Sequence, residues 1–244
     1  MKVLILNSGV GSRLKEITKN KPKCLVELYN KETILERQIR LLSQYGLKKF
    51  VITTGPFEEK IIKKLEDNFS GLDIVYVKNP KYKDTNYIYS MYLAKKYLNE
   101  DIILLHGDLV FSKSLIEEIM KNEVKNVGLI NKKLPLPEKD FKALLKDGRI
   151  MKISVELKGE NVFTFMPFYK LEKDKFDLWF KEIEKYINSN RTNVYAEEAL
   201  NQVLEDMQLN YFDYSDYYCK EIDNHQDLQD VNQEIIRYDE NEAN

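Results

Sequence analysis

The sequence predicts an α/β fold built on a doubly wound, mostly parallel sheet, with a lid or hairpin elaboration in the C-terminal half. Three observations carry that expectation. Short apolar runs rich in Val and Ile alternate with amphipathic stretches as far as residue 130, which is the βαβ pattern. An Asp147-Gly148 pair then separates two alternating runs, a hairpin signal of the primed-turn type. At 244 residues the chain can bury a substantial core yet suits one domain.

The elements follow in order. "KVLIL" (2–6), "KKFVITT" (48–54), "DIVYV" (73–77), "DIILLH" (101–106) and "NVGLI" (126–130) are too short for helices and read as buried parallel strands. Between them, "ILERQIRLLSQYG" closing at Gly46, "FEEKIIKKLEDNF", "NYIYSMYLAKKYL", and "SLIEEIMKN" after Ser112 and Ser114 read as helices. Beyond residue 130, "FKALLKDGRIMKISVEL" is the hairpin and "NVFTFMPFYKL" a strand. "DKFDLWFKEIEKYI" and "NVYAEEALNQVLEDM" are helices, with Trp179 in the core; "NYFDY" and "YYCKEID" are further strand material. The polar end "RYDENEAN" (237–244) reads as a fraying tail. No repeat, low-complexity tract or linker interrupts the chain, so a single domain over 1–244 is expected, its two halves meeting near residue 130.

Composition narrows the function. Lys and Arg number 38 against 40 Asp and Glu, so no global positive field draws the chain to nucleic acid or anionic lipid, and any polyanion must meet a local patch. Cys24 and Cys219 are too few for a zinc cluster or a disulfide framework. The first apolar run is too short for a signal peptide or membrane span. A cytoplasmic protein with no membrane and no nucleic-acid partner is the expectation.

Directly after the first strand comes "LNSGVGSRLKEITKNKPKCLVEL", residues 6–28. Gly9 and Gly11 allow a sharp turn and close approach of backbone N–H groups to phosphate oxygens, with Arg13 and Lys23 adding positive charge and Pro22 stiffening the turn. The glycines alone leave several readings open. A dinucleotide fingerprint wants a third glycine where Leu14 stands, a Walker A loop wants Gly-Lys-Ser/Thr, and a purely structural turn wants nothing more.

The longer spacing, Leu6, Gly9, Gly11, Arg13, Leu14, Thr18, Pro22, Lys23 and Leu25, resembles the signature of the nucleotidyltransferases that make nucleoside-diphosphate sugars and amino alcohols. "LLHGDLVF" ends in Asp108, where that family carries a metal-binding carboxylate, with His106 in place of a frequent second Asp. "KEIDNHQDL" resembles its second metal motif, with Glu221 and Asp223. "NPKYKDTNYIYSMYLAK" resembles, through Asn79, Tyr82, Asn86, Ile88, Tyr89 and Ser90, the corresponding segment of phosphocholine and 2-aminoethylphosphonate cytidylyltransferases. The chain departs by placing Asn7-Ser8 where the family commonly has alanines bordering the base.

The resemblance implies a Rossmann-like, glycosyltransferase-A-like sheet with a nucleotide-binding half (1–130) and an acceptor-binding and lid half (131–244). It implies CTP and a small phosphorylated or phosphonate amine as substrates and Mg²⁺ as cofactor, and leaves a homodimer open. Leu6, Asn7, Ser8, Gly9, Gly11, Lys23, Gly55, Asn79, Thr85, Asn86 and Asp108 would meet the nucleotide. Tyr89, Ser90, Tyr195, Glu197 and Glu198 would meet the acceptor, and Asp108 and Asp223 the metal. Arg13 and Lys23 would be catalytic, aided by a lid lysine among Lys133, Lys142 and Lys152. The tyrosines and glutamates read equally as core packing and solvated helix face. The alternatives are a sugar-1-phosphate nucleotidyltransferase and a catalytically inactive nucleotide-binding module; the charge-neutralising set Arg13, Lys23, Asp108 and Asp223 argues against the second.

Overall fold

The computed structural model describes residues 1–9 and 11–243. Strands β1 (Lys2–Leu6), β2 (Lys49–Thr54), β3 (Asp73–Lys78) and β4 (Ile102–His106) run parallel in the order β3-β2-β1-β4. Leu6 pairs with Thr53 on one side and His106 on the other, so the carboxyl ends of the three central strands come level. Helices α1 (Ile34–Ser43), α2 (Glu58–Glu66) and α3 (Tyr87–Ala94) connect them. In α3, Asn86 caps the first turn by accepting from Tyr87 N.

Beyond β4 the sheet turns mixed. Strand β9 (Val162–Leu171) inserts antiparallel between β4 and β6 (Val127–Asn131), so β6, read from sequence as one more parallel strand, runs parallel only to β10 (Asn210–Asp213). Nothing local to "NVGLI" records which strand will lie beside it. The register between β6 and β9 shifts at Gly128/Leu129, opposite Pro167, which has no N–H to give the ladder. Gly128 is needed there because a Cβ would come within 2.7 Å of the Phe165 ring.

The hairpin forms as expected. Strands β7 (Lys142–Lys146) and β8 (Arg149–Ser154) are joined at Asp147 (φ 51°) and Gly148 (φ 78°), both left-handed as a primed turn requires. The nine-stranded order β3-β2-β1-β4-β9-β6-β10-β8-β7 therefore crosses both halves of the chain. Helix α5 (Lys173–Asn188) buries Trp179 completely, its Nε1–H donating to Ala196 O at 2.9 Å. The next helical stretch breaks into α6 (Ala196–Leu200) and α7 (Leu204–Met207). The Asn201 carboxamide lies at the break, paired with the backbone N–H and C=O of Ile153 at 2.8 Å each.

A short ladder outside the main sheet positions the site. Strand β5 (Leu109–Phe111) pairs antiparallel with β11 (Cys219–Glu221), and Ile222 N donates to Asp108 O at 3.1 Å. Helix α4 (Lys113–Lys121) follows β5, capped by Ser112. Below the ladder, Leu14, Val26, Val110, Ile222, Val231 and Ile235 form a small apolar cluster joining the signature loop to α8 (His225–Ala243).

The expected fraying tail is corrected as far as the described residues reach; Asn244 lies outside them. Helix α8 continues through it, because Arg37, only 1% exposed, needs a counter-ion and finds Asp239 at 2.7 and 2.8 Å. Both cysteines are buried and free, and no helix among the described residues is long and apolar enough to cross a membrane.

Candidate active site

The carboxyl end of β1 opens into a cavity of about 300 Å³. Asn7 N donates to Thr53 Oγ1 as the chain leaves the sheet. Gly11 then takes the left-handed conformation (φ 64°), and a Cβ there would press on Lys23 Cβ at 3.0 Å. Thr18 Oγ1 ties the loop back to Gly11 O at 2.8 Å. Pro22 is extended and Cys24 and Leu25 are buried, which aims Lys23 into the cavity from a fixed base.

Lys23 Nζ lies between Asp108 Oδ2 at 2.7 Å and Asp223 Oδ1 at 2.6 Å, while Arg13 Nη1 takes Asp223 Oδ2 at 2.7 Å. Burial opposes charge on Lys23, but the two carboxylates outweigh it and hold its pKa above the ordinary lysine value. Burial likewise opposes charge on Asp108, and the adjacent Lys23 holds that carboxyl below the usual range. Glu221 is pushed well above it by burial and by Asp108, Asp223 and Asp140. His106 is lowered by burial.

These groups fit a divalent cation. His106, Asp108 and Glu221 bring ligand atoms within 4.8 Å of one another, as do Asp140, Glu221 and Asp223, and Asp108 Oδ1 is buried without a hydrogen-bond partner among the described residues. Oxygen-rich sites of this kind suit hard cations.

A second cavity of about 840 Å³ opens on the same cluster, sharing Arg13, Tyr87, His106, Asp108 and Asp223. Tyr87, Tyr195 and Phe141 form an aromatic wall, with Tyr195 6.0 Å from Tyr87 and 5.0 Å from Phe141 between ring centroids. Glu138, Asp140, Glu156 and Glu221 supply carboxylates, and Lys139 and Lys158 cations.

The structure brings Leu6, Asn7, Ser8, Gly9, Gly11, Arg13, Lys23, Asp108 and Asp223 to the first cavity, and Asn86 and Tyr195 to the second. Other residues singled out from sequence stand behind these walls. Ser8 Oγ bonds Ser90 Oγ at 2.6 Å, Asn79 Nδ2 bonds Ser90 Oγ and Thr85 Oγ1, and Gly55 packs so close that a Cβ would meet Ser8 O at 2.4 Å. Ser90, expected at the acceptor, is 1% exposed and braces the loop after β1 through Ser8 instead.

Tyr89, also expected there, turns away to pack beside Tyr92 and under Lys81; Tyr87, one residue past the helix cap, takes the cavity wall. Glu197 is buried behind that wall, accepting from Tyr87 and Tyr169. Glu198 faces another surface with Lys152 and pairs with Arg191 at 3.3 Å. Lys133 pairs with Asp216 and Lys142 Nζ donates to Pro137 O, so neither lines the cavity. Lys139, Asp140, Phe141 and Lys158 were missed. For the first three the proline-rich "LPLPEKDF" ahead of the hairpin was the available signal, since such a segment cannot join a central strand.

The family profile described as Nucleotidyl transferase matches residues 2–133, more than half of the chain. The chain belongs to the nucleotidyl transferase family. This nucleotidyl transferase is 25% identical over 228 residues to the CTP:phosphoglutamine cytidylyltransferase of Campylobacter jejuni, covering 84% of this chain and 88% of that one. It is 31% identical over 119 residues to the CMP-5'-(3-aminopropyl)phosphonate synthase of Streptomyces rubellomurinus, a match of 49% of this chain that spans only 19% of the relative. Its fold is that of the CTP:phosphocholine cytidylyltransferase of Streptococcus pneumoniae, with a TM-score of 0.77, 21% identity, and 95% and 97% of the two chains covered. A glucose-1-phosphate uridylyltransferase is also among its relatives.

Proposed function

We propose that this nucleotidyl transferase moves CMP from CTP to a small phosphorylated or phosphonate amino-alkyl acceptor and releases pyrophosphate. The observation that carries the reading is the aromatic, carboxylate-rich cavity opening directly onto the Lys23, Asp108 and Asp223 cluster. A wall of Tyr87, Tyr195 and Phe141 beside the carboxylates of Glu138, Asp140 and Glu156 favours a cationic group, each aromatic face contributing about 0.5–2 kcal/mol. The phosphorus end of the same acceptor would point to Arg13 and Lys23. Names of the cytidylyltransferase relatives support the base.

In the reaction, an oxygen of the acceptor's phosphate or phosphonate attacks the α-phosphorus of CTP in line. The new P–O bond forms as the bond to the bridging oxygen of the β-phosphate breaks, and the electron pair leaves with pyrophosphate. The acceptor is already anionic, so no protein nucleophile is required, and catalysis rests on placement and charge neutralisation. Amides of the Gly9–Gly11 loop and Arg13 hold the β- and γ-phosphates. Lys23 exchanges one carboxylate for the α-phosphate and steadies the incoming oxygen. Asp108 and Asp223, with Glu221 beside them, would hold Mg²⁺, whose positive charge lowers the repulsion between the two anions.

The test crosses CTP, UTP, dTTP, ATP and GTP with phosphocholine, 2-aminoethylphosphonate, phosphoethanolamine and glucose-1-phosphate, reading pyrophosphate release with Mg²⁺. Release with CTP and an amino-alkyl acceptor is expected. Release only with glucose-1-phosphate would replace the reading by the sugar branch.

A further inference from the structure

Glu197 is a buried carboxylate with no cation beside it. The residue is 1% exposed, and its side chain makes no ion pair among the described residues. Its two oxygens accept instead from two phenols, Oε2 from Tyr87 and Oε1 from Tyr169 at 2.8 Å. Burial, and then the charge of Glu197 itself, push both phenols well above their ordinary pKa, so each stays a donor. Two donated hydrogen bonds spread this negative charge without cancelling it, and a buried charge left uncancelled is costly.

The three residues come from elements far apart in sequence: Tyr87 opens α3, Tyr169 lies in β9 and Glu197 in α6. Apolar side chains of similar volume would hold those elements together with no charge to bury. The charge therefore has a use beyond packing, and Tyr87 shows where. Its hydroxyl turns inward to Glu197, while the residue lines both cavities. Its ring centroid stands 4.7 Å from that of His106 and 6.0 Å from that of Tyr195 on the wall of the larger one.

We propose that Glu197 is a positioning residue for the acceptor: it fixes the Tyr87 ring in the cavity wall and sets a buried negative charge behind it, so that the site selects an acceptor with a positive end over an uncharged one of the same shape. The inference rests on the reading that the larger cavity takes an amino-alkyl acceptor. A charge enclosed by protein is weakly screened and acts across the width of a ring, and the ring face adds its own attraction for a cation.

Acceptors matched in shape test this. Phosphocholine is compared with 3,3-dimethylbutyl phosphate, and 2-aminoethylphosphonate with propylphosphonate, each with saturating CTP and Mg²⁺, reading KM and kcat/KM. The wild-type protein is expected to prefer the charged member of at least one pair. Glu197→Gln keeps the shape and removes the charge. It should lower that preference about tenfold by raising KM for the charged acceptor, with KM for the uncharged one moving by no more than about twofold. Tyr87→Phe keeps the ring and the carboxylate but cuts the tie between them, and should lower the preference about threefold. A thermal melt of each variant establishes folding, and either variant suffices if the other does not fold. A merely structural role would raise KM for both members of a pair alike. That result, or an unchanged preference in a folded variant, would overturn the inference and leave the amine reading standing. A wild-type protein that turns over neither charged acceptor, or shows no preference for the charged members, would overturn both.

Discussion

Lys23 shows how much depends on one side chain. It is the cation shared by two carboxylates in a mostly buried position, held by buried neighbours on either side of its own backbone. Removing such a preorganised charge costs about 2.7–4 kcal/mol in the transition state, so Lys23→Ala should lower kcat about 10²- to 10³-fold in steady-state assays while the protein still folds. A variant with near-normal turnover would remove Lys23 from the mechanism. Tyr195 makes a milder case, because it is 41% exposed and contributes one aromatic face. Tyr195→Ala should raise KM for the amine acceptor about fivefold, the equivalent of about 1 kcal/mol, and leave KM for CTP unchanged.

Which residues were legible at this scale follows from how each is placed. Gly9, Gly11, Arg13 and Lys23 lie within one contiguous loop, so their spacing in the chain is their spacing in the site. Tyr87 and Tyr89 differ by two residues on a helix, and only the phase of α3 on the sheet decides which reaches the cavity. Glu197 and Glu198 differ by one residue, yet one is buried beneath Tyr87 and the other meets solvent and Arg191. A helical stripe of alternating polar and aromatic residues does not fix that phase.

At the scale of elements, the β5–β11 ladder is what joins the two halves of the charge cluster. Asp108 and Asp223 are far apart in sequence and meet because Leu109 pairs with Glu221 and Ile222 N bonds Asp108 O. Helix α8 then closes over the ladder, tied to α1 through Arg37 and Asp239. Burial alone would raise the Asp239 carboxyl, but hydrogen bonds and charge from Arg37 hold it below the usual carboxylate range. A lowered native pKa means the pair's contribution is fully present above the unfolded value of about 3.9 and is lost as pH falls through the lower native one. Asp239→Asn should therefore destabilise the protein at neutral pH, by about 2 kcal/mol. That is less than the ~3–5 kcal/mol for breaking a fully buried pair, because Asp239 is partly exposed. The gap in melting temperature between wild type and variant should close as pH falls below about 4; a gap that persists to pH 2 would contradict the assignment.

Over the whole molecule, the parallel half was readable because each strand carries its own apolar run and each connecting helix its own apolar face. The C-terminal half was less so, since the antiparallel insertion of β9 and the parallel pairing of β10 with β6 are long-range choices that no short window records. The hairpin was an exception, its turn being set by two adjacent residues with positive φ. Together these elements place the glycine-bearing loop with Arg13 and Lys23, a carboxylate pair and an aromatic chamber around one space. The most direct test of that arrangement is ³¹P NMR of the purified protein with CTP, MgCl₂ and either 2-aminoethylphosphonate or phosphocholine. CTP is expected to disappear as pyrophosphate appears in equal amount, together with a new pair of coupled signals from a P–O–P bond joining CMP to the acceptor. CTP left intact with every amino-alkyl acceptor, while glucose-1-phosphate is consumed with any nucleotide, would contradict it.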